Sequence, residues 1–222
     1  MDENLKNVIL KKISKVSEGL QKNNMDFYYA ETKEDVPSII EDLLNEGDIV
    51  TTGGSATLKQ CGVIDLLKSN KYKYMDRDAV GIDSIEQLYR ASFSSDAYLC
   101  STNAITENGE LYNVDGNSNR IAAIAYGPKS VIIVAGYNKI VKNIDEAQNR
   151  VKSISAPANT QRLNCSTYCY ENGECLSFSS SDPEITTGCS SDARICCNYL
   201  ISAKQKHKGR IKVIMVGENV GY

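Results

Sequence analysis

"DIVTTGGSATLKQCGVIDLLKS", residues 48–69, reads as a strand, a glycine-rich turn and a helix in immediate succession. The same alternation recurs outward from it. Residues 3–21 place Leu5, Val8, Ile9, Ile13, Val16 and Leu20 at helical spacing, an amphipathic helix with one face for the core. "MDFYYA" (25–30) suits a short strand. "TKEDVPSIIEDLLNEG" (32–47) opens on Thr32 and Asp35 in a capping pattern, carries Pro37 early, where a helix tolerates it, and has Gly47 to end it. Downstream, "KYKYMD" fits a strand, "DSIEQLYRASF" a helix with Ser84 as its cap, and "AYLCST" a strand. "SVIIVAG" (130–136) is a continuous apolar run, as expected where both faces of a sheet are covered. "IDEAQNRVKSIS" is helical, and "GRIKVIMVGE" (209–218) is the last strand.

This alternation, from residue 25 to 155, predicts an α/β fold with a mainly parallel sheet, right-handed crossovers and helices on both faces. Open sheets of this kind bind ligands at the carboxyl ends of their strands. Two glycine-rich or polar stretches, 52–57 and 101–119, each follow a strand.

The 222 residues are 41% hydrophobic, enough for one large domain with a core. A net charge of −3 supplies no basic field for nucleic acid. No segment approaches the ~20 apolar residues of a membrane helix, and the N-terminal residues lack a signal-peptide run, so a soluble, cytoplasmic protein is expected.

The turn at 53–57 exposes Gly53 and Gly54, with Ser55 and Thr57 as hydroxyl donors, ahead of a helix. It suits a small anion equally as it suits an ordinary strand-to-helix turn with Ser55 as N-cap. In "ITENGELYNV", Asn108-Gly109 is a hairpin-turn signal between short apolar-alternating arms. Asn103, Glu107, Asn113, Asp115, Asn117, Asn119 and Arg120 lie close together around it, more polar residues than turn formation needs. Glu107 or Asp115 is a candidate general base or nucleophile, and Arg120 a two-point contact for a carboxylate or phosphate. Lys139, after the 130–136 run, is either a surface lysine or a cation in the pocket that neutralises developing charge. His207, the single histidine, lies in a basic run and reads as solvated.

The segments "GGSATL", "TNAITENGELYNVDGNSNR", "YGPKSVIIVAGYNKIV", "APANTQRL" and "GRIKVIMVGENVG", in this order, closely resemble the LUD-domain family of lactate-utilisation proteins. The resemblance covers nearly the whole chain. It implies a fold like ribose-5-phosphate isomerase and the CoA transferases, with the 53–57 turn as ligand loop and Asn103 beside it. It also implies a role in oxidising lactate or a related hydroxy acid, with an iron–sulfur oxidoreductase as partner. A CoA transferase or sugar-phosphate isomerase is the alternative, since Glu107-Asn108-Gly109 fits the transferases' E-x-G. An amide at Asn103, where several relatives carry an acid, weakens the isomerase form. A non-enzymatic metal-bearing partner or sensor is a further alternative, and a homo-oligomer is left open.

Six of the eight cysteines fall between Cys165 and Cys197, while Cys61 and Cys100 read as small buried hydrophobes. Many relatives resemble T-P-C-x-x-x-G-x-C followed by C-x-S-x-x-R-I-C. Here that pattern falls on Cys169, Cys175, Cys189 and Cys196, with Tyr168 in place of the proline and a serine-rich patch (177–192) lengthening the middle. Four thiolates suit a metal centre, an iron–sulfur cluster ahead of zinc, with Cys165 and Cys197 as spares. The expected division is an α/β domain over 1–160 and 198–222, with a Cys-rich metal-binding insertion at 161–197.

Overall fold

The computed structural model describes residues 2–181 and 184–222. In chain order the strands are β1 (Asp26–Ala30), β2 (Ile49–Thr52), β3 (Lys73–Met75), β4 (Ala97–Cys100), β5 (Ala104–Thr106), β6 (Leu111–Asp115), β7 (Ser130–Gly136), β8 (Ile140–Val141), β9 (Asn198–Ser202) and β10 (Ile211–Val216). Six of them form one sheet in the order β1-β10-β7-β4-β2-β3, with every neighbouring pair parallel. The expected α/β class and mainly parallel sheet are therefore observed.

The helices are α1 (Glu3–Lys22), α2 (Val36–Leu43), α3 (Ala56–Gln60), α4 (Val63–Leu67), α5 (Ile82–Ala91), α6 (Asn119–Tyr126), α7 (Ile144–Arg150), α8 (Ala156–Leu163) and α9 (Tyr168–Asn172). Side-chain alternation along β7 shows why both faces of the sheet are covered. Val131, Ile133 and Ala135 point into a core shared with Ile13, Val16 and Leu20 of α1 and Ile124 of α6. Ile132 and Val134 point the other way, into a core with Val36 and Ile40 of α2, Leu58 of α3 and Val63 of α4. At roughly 1.5–3 kcal/mol per fully buried aliphatic side chain, the α1 stripe is what docks that helix.

Local signals act with two shifts. Thr32 and Asp35 do form a capping box, but it heads a 3₁₀ turn (Lys33–Asp35) that leads into α2. Gly47 does not end that helix: α2 stops at Leu43, and Gly47, at φ +86°, serves the turn before β2, where its N–H meets the Lys71 carbonyl. Ser84 lies inside the first turn of α5, and Gly81 holds the N-cap position without a side-chain bond.

A second, smaller sheet of order β8-β5-β6-β9 rests on the first. β5 and β6 are the arms of the Asn108-Gly109 hairpin, with Gly109 at φ +80° and its N–H on the Thr106 carbonyl. This hairpin tip meets α1 backbone to backbone: a Cβ on Gly19 would lie 2.4 Å from the Asn108 carbonyl carbon. α7 and α8 are one rod interrupted by a π-helical turn, Val151–Ser155. The rod packs on Ala104, Tyr112 and Val114 of the small sheet.

Candidate functional site

The six-stranded sheet reverses its direction of winding between β2 and β4. The chain leaves β2 toward β3 at one edge and leaves β4 toward β7 and β10 on the other side. A crevice opens at such a point beyond the strand ends. Here it is a cavity of about 410 Å³, walled by Gly54–Thr57 after β2, Ser101–Asn103 after β4, Lys139 after β7 and Tyr222 beyond β10. Asp115–Asn117 and Arg120 form a further wall, and Ser155, Asn159 and Arg162 of the helical rod another.

The 53–57 turn is built as its sequence suggests. Ser55 caps α3, its Oγ accepting the Leu58 N–H at 3.2 Å. α3 is only five residues long, so its dipole is small and the charge for an anion must come from side chains. Gly53 gives its N–H to Leu99 and lies behind the cavity wall, where a Cβ would reach 2.9 Å from the Tyr98 hydroxyl. Gly54 is bare because the Arg77 guanidinium lies across it, with Nη1 2.8 Å from where a Cβ would stand.

Lys139 belongs to the cavity, not the surface. Its side chain is 2% exposed, and Nζ donates to Thr57 Oγ1 at 3.0 Å and Ser101 Oγ at 2.9 Å. Ser101 in turn donates to the Val134 carbonyl at 2.6 Å. Burial, then the nearby Arg150 and Arg120 cations, pull the lysine pKa down to about 7.

Arg120 commits all five of its N–H groups to the protein. Nε meets Asp115 at 3.0 Å; Nη1 meets the Ser101 carbonyl at 2.9 Å and Asn113 Oδ1; Nη2 meets Asn103 Oδ1 and the Val114 carbonyl, both at 2.9 Å. The other Asp115 oxygen accepts the Ile121 N–H at 2.9 Å. Asn103 Oδ1 also accepts the Val114 N–H, and its backbone carbonyl takes Arg150 Nη1 at 2.7 Å. Asp115, Arg120 and Asn103 thus meet at the cavity as one internal network that fixes its wall. No N–H of Arg120 is left for a substrate. Glu107 is not brought there. It sits at the hairpin tip, 2.9 Å from Lys15 of α1, and does not line the cavity.

Sequence reasoning missed Arg77, Tyr89, Arg162, Asp192 and Tyr222, all of which line the cavity. Arg77 stands over the Tyr89 ring at 5.6 Å, and its Nε is buried without a hydrogen-bond partner, 3.6 Å from Asp78 Oδ1. It comes from an irregular loop, where no periodicity marks a residue as inward-facing. Arg162 lies in the "APANTQRL" segment, with Nη2 on Asn159 Oδ1 at 2.7 Å.

A second, small cavity, of about 20 Å³, lies on the other side of the rod. Cys169, Cys175, Cys189 and Cys196 all line it, with Tyr112 and Tyr199. Cys175 is held by its N–H to the Lys152 carbonyl in the π turn, at 3.0 Å. Arg194 folds the last segment around itself, donating to the carbonyls of Thr186, Cys189 and Cys196 and to Cys196 Sγ at 3.3 Å. The Tyr112 hydroxyl is buried and has no partner, so a group with acceptor atoms in this cavity would satisfy it. Among the described residues, no three His, Cys, Asp or Glu side chains are gathered closely enough to chelate one ion. The room is that of one water-sized body, so a cubane would require the cysteine side chains to swing outward. Of the spares, Cys197 is exposed and Cys165 half-buried. Cys61 and Cys100 are buried, and burial pushes their thiols up to about 11 and about 12.

Among the described residues no helix is long and apolar enough to cross a membrane. The comparison with curated proteins gives no match. Among solved structures, the chain is similar to a DUF162 family protein from Deinococcus radiodurans, at 13% identity over 95% of this chain and 98% of that one, with a TM-score of 0.49. It is similar over 52% of its length to eIF2B beta from Chaetomium thermophilum, covering 42% of that chain, at 15% identity and a TM-score of 0.37. A 5-methylthioribose 1-phosphate isomerase from Pyrococcus horikoshii matches 51% of this chain and 42% of its own, at 15% identity and a TM-score of 0.33. The LUD domain family model matches residues 13–216, and the chain belongs to the LUD domain family.

Proposed function

We propose that this LUD-domain protein is a cytoplasmic enzyme that binds a small hydroxy acid, or a related organic anion, in the polar cavity. It would act in lactate-type oxidation together with a metal centre on the four cysteines and an iron–sulfur oxidoreductase partner. The observation that carries the reading is the charge of the cavity wall. Arg120 and Asp115 neutralise each other, and Arg194 is tied to its own loop. That leaves Arg162, and Arg77 with Asp78 3.6 Å from its Nε, facing Asp192 in the lining, a positive wall with hydroxyls from Ser55 and Thr57 beside it, to which Lys139 adds a charge only when protonated. The E-x-G transferase alternative gains nothing from a Glu107 paired with Lys15.

Cys169, Cys175, Cys189 and Cys196 would hold the metal centre, with iron–sulfur ahead of zinc on family resemblance. Once bound, an iron–sulfur centre supplies one-electron chemistry. The chain's own part is to bind the anion through Arg77 and Arg162, and to hold the wall rigid through Arg120. The test is titration calorimetry with L-lactate, pyruvate and inorganic phosphate on anaerobically purified protein, alongside iron, sulfide and zinc analysis. Arg77→Ala and Arg162→Ala should each weaken anion binding about tenfold or more. Absence of binding by all three anions overturns the cavity reading, and less than one metal equivalent in reduced protein overturns the cysteine reading.

A further inference from the structure

Lys139 is unusual among the cations of the cavity. Its hydrogen-bond partners are two hydroxyls, the charged groups that act on it most are the Arg150 and Arg120 cations, and among the described residues no carboxylate pairs with it. Ser101 already donates to Val134, so it must accept from the lysine. Two acceptors match the two N–H groups of a neutral amine. The nitrogen lone pair is then left unshared, on a residue that lines the cavity. An ammonium in the same place would have a third donor with no hydrogen-bond partner among the described residues, and the Arg120 and Arg150 cations acting against it. The environment therefore favours a free amine, and burial acts in the same direction.

We infer that Lys139 Nζ is a nucleophile that forms an imine with the carbonyl carbon of a small 2-oxo acid whose carboxylate is held by the cavity's arginines. The step balances without a redox partner. The Nζ lone pair makes the N–C bond while the carbonyl π pair moves to oxygen. That oxygen takes up one amine hydrogen and one proton from solvent in the open cavity and leaves as water, giving the protonated imine C=NH⁺ with the second amine hydrogen retained. Thr57 Oγ1, 3.0 Å from Nζ, is placed to carry the amine hydrogen, while Ser101 Oγ, 2.9 Å away and donating to Val134, holds the nitrogen in position. A protonated imine withdraws electrons from the neighbouring carbon, as desolvated catalytic lysines do elsewhere. This gives the site a carbon-acid or addition–elimination chemistry that a purely electrostatic lysine lacks.

The inference rests on the reading of the cavity as a small-organic-acid site, and the experiment separates the two. Full-length protein is incubated with pyruvate or glyoxylate, reduced with borohydride, digested and mapped by mass spectrometry, while binding of the same acids is followed by calorimetry. The expected result is one reduced adduct per chain on the Lys139 peptide, suppressed by excess inorganic phosphate and absent in Lys139→Arg, whose guanidinium offers no nucleophilic amine. Circular dichroism verifies that the variant folds, and the wild-type map stands without it. Binding of either acid without an adduct at Lys139, or adducts spread over exposed lysines, overturns the imine. Failure of both acids to bind removes the cavity reading and the imine with it.

Discussion

At the scale of single residues, Lys139 is held against its solution preference, and this has a sign. The folded state lowers its pKa to about 7 from the ordinary lysine value of 10.5, so between those pH values the unfolded chain binds more protons. The groups acting on it are Arg150 and Arg120, the Cys61 and Cys100 thiols, and the Thr57 and Ser101 hydroxyls. Stability should therefore rise with pH across that window. Lys139→Met should stabilise the protein most at pH 7 and below, by roughly 4 kcal/mol more than at pH 10.5. Paired urea titrations of wild type and variant isolate this difference, and a constant difference would contradict it. Arg120 works the opposite way. Arg120→Ala leaves the half-buried Asp115 without its cation, holding only the Ile121 N–H, and should cost about 3 kcal/mol by the same measurement. The sequence showed that Asp115, Asn103 and Arg120 belong together. It could not show that they satisfy one another, because hydrogen-bond saturation is a property of three-dimensional geometry.

At the scale of elements, the main sheet was legible because each long strand is apolar on both faces and each connecting helix is amphipathic. The smaller sheet was legible only as its hairpin. β8 has two residues and β9 is half-exposed, so neither carries a periodic signal. Glu107 was misplaced for a related reason: the turn was visible, but not the helix against which it lies. That contact makes a prediction. Gly19→Ala would drive a methyl into the Asn108 backbone, and Gly109→Ala would add the strain of φ +80°. Each should destabilise by about 1–3 kcal/mol, with hydrogen exchange rising first in the 104–115 hairpin. The Tyr112 hydroxyl offers a second test of the cysteine cavity. With nothing bound there, Tyr112→Phe removes an unsatisfied group and should be neutral or stabilising by about 1–3 kcal/mol; in metal-loaded protein the same change should lower retention of the centre. Denaturation curves with and without metal distinguish the two.

At the scale of the whole molecule, the two cavities share their walls. The rod turns Gln148, Val151, Lys152 and Ala156 toward the cysteines and Ser155, Asn159 and Arg162 toward the anion cavity. The segment 189–196 likewise gives Cys189 and Cys196 to one and Asp192–Ile195 to the other. The cysteine spacing was legible; the shared wall was not, since it depends on how the last third of the chain folds back over the rod. The π turn at Val151–Ser155 amounts to one extra residue in an otherwise α-helical rod. It therefore sets the angular phase between the two halves. Deleting one residue from 151–155 would absorb the extra residue and restore a continuous α-helix, with Asn159 and Arg162 keeping nearly their present bearing. Inserting one further residue there would instead turn everything after it by about 100°, rotating Asn159 and Arg162 off the anion cavity while Gln148, upstream, kept its bearing on the cysteines. The insertion variant should lose anion affinity, and the deletion variant keep it, through helical phase alone, with no charged group removed.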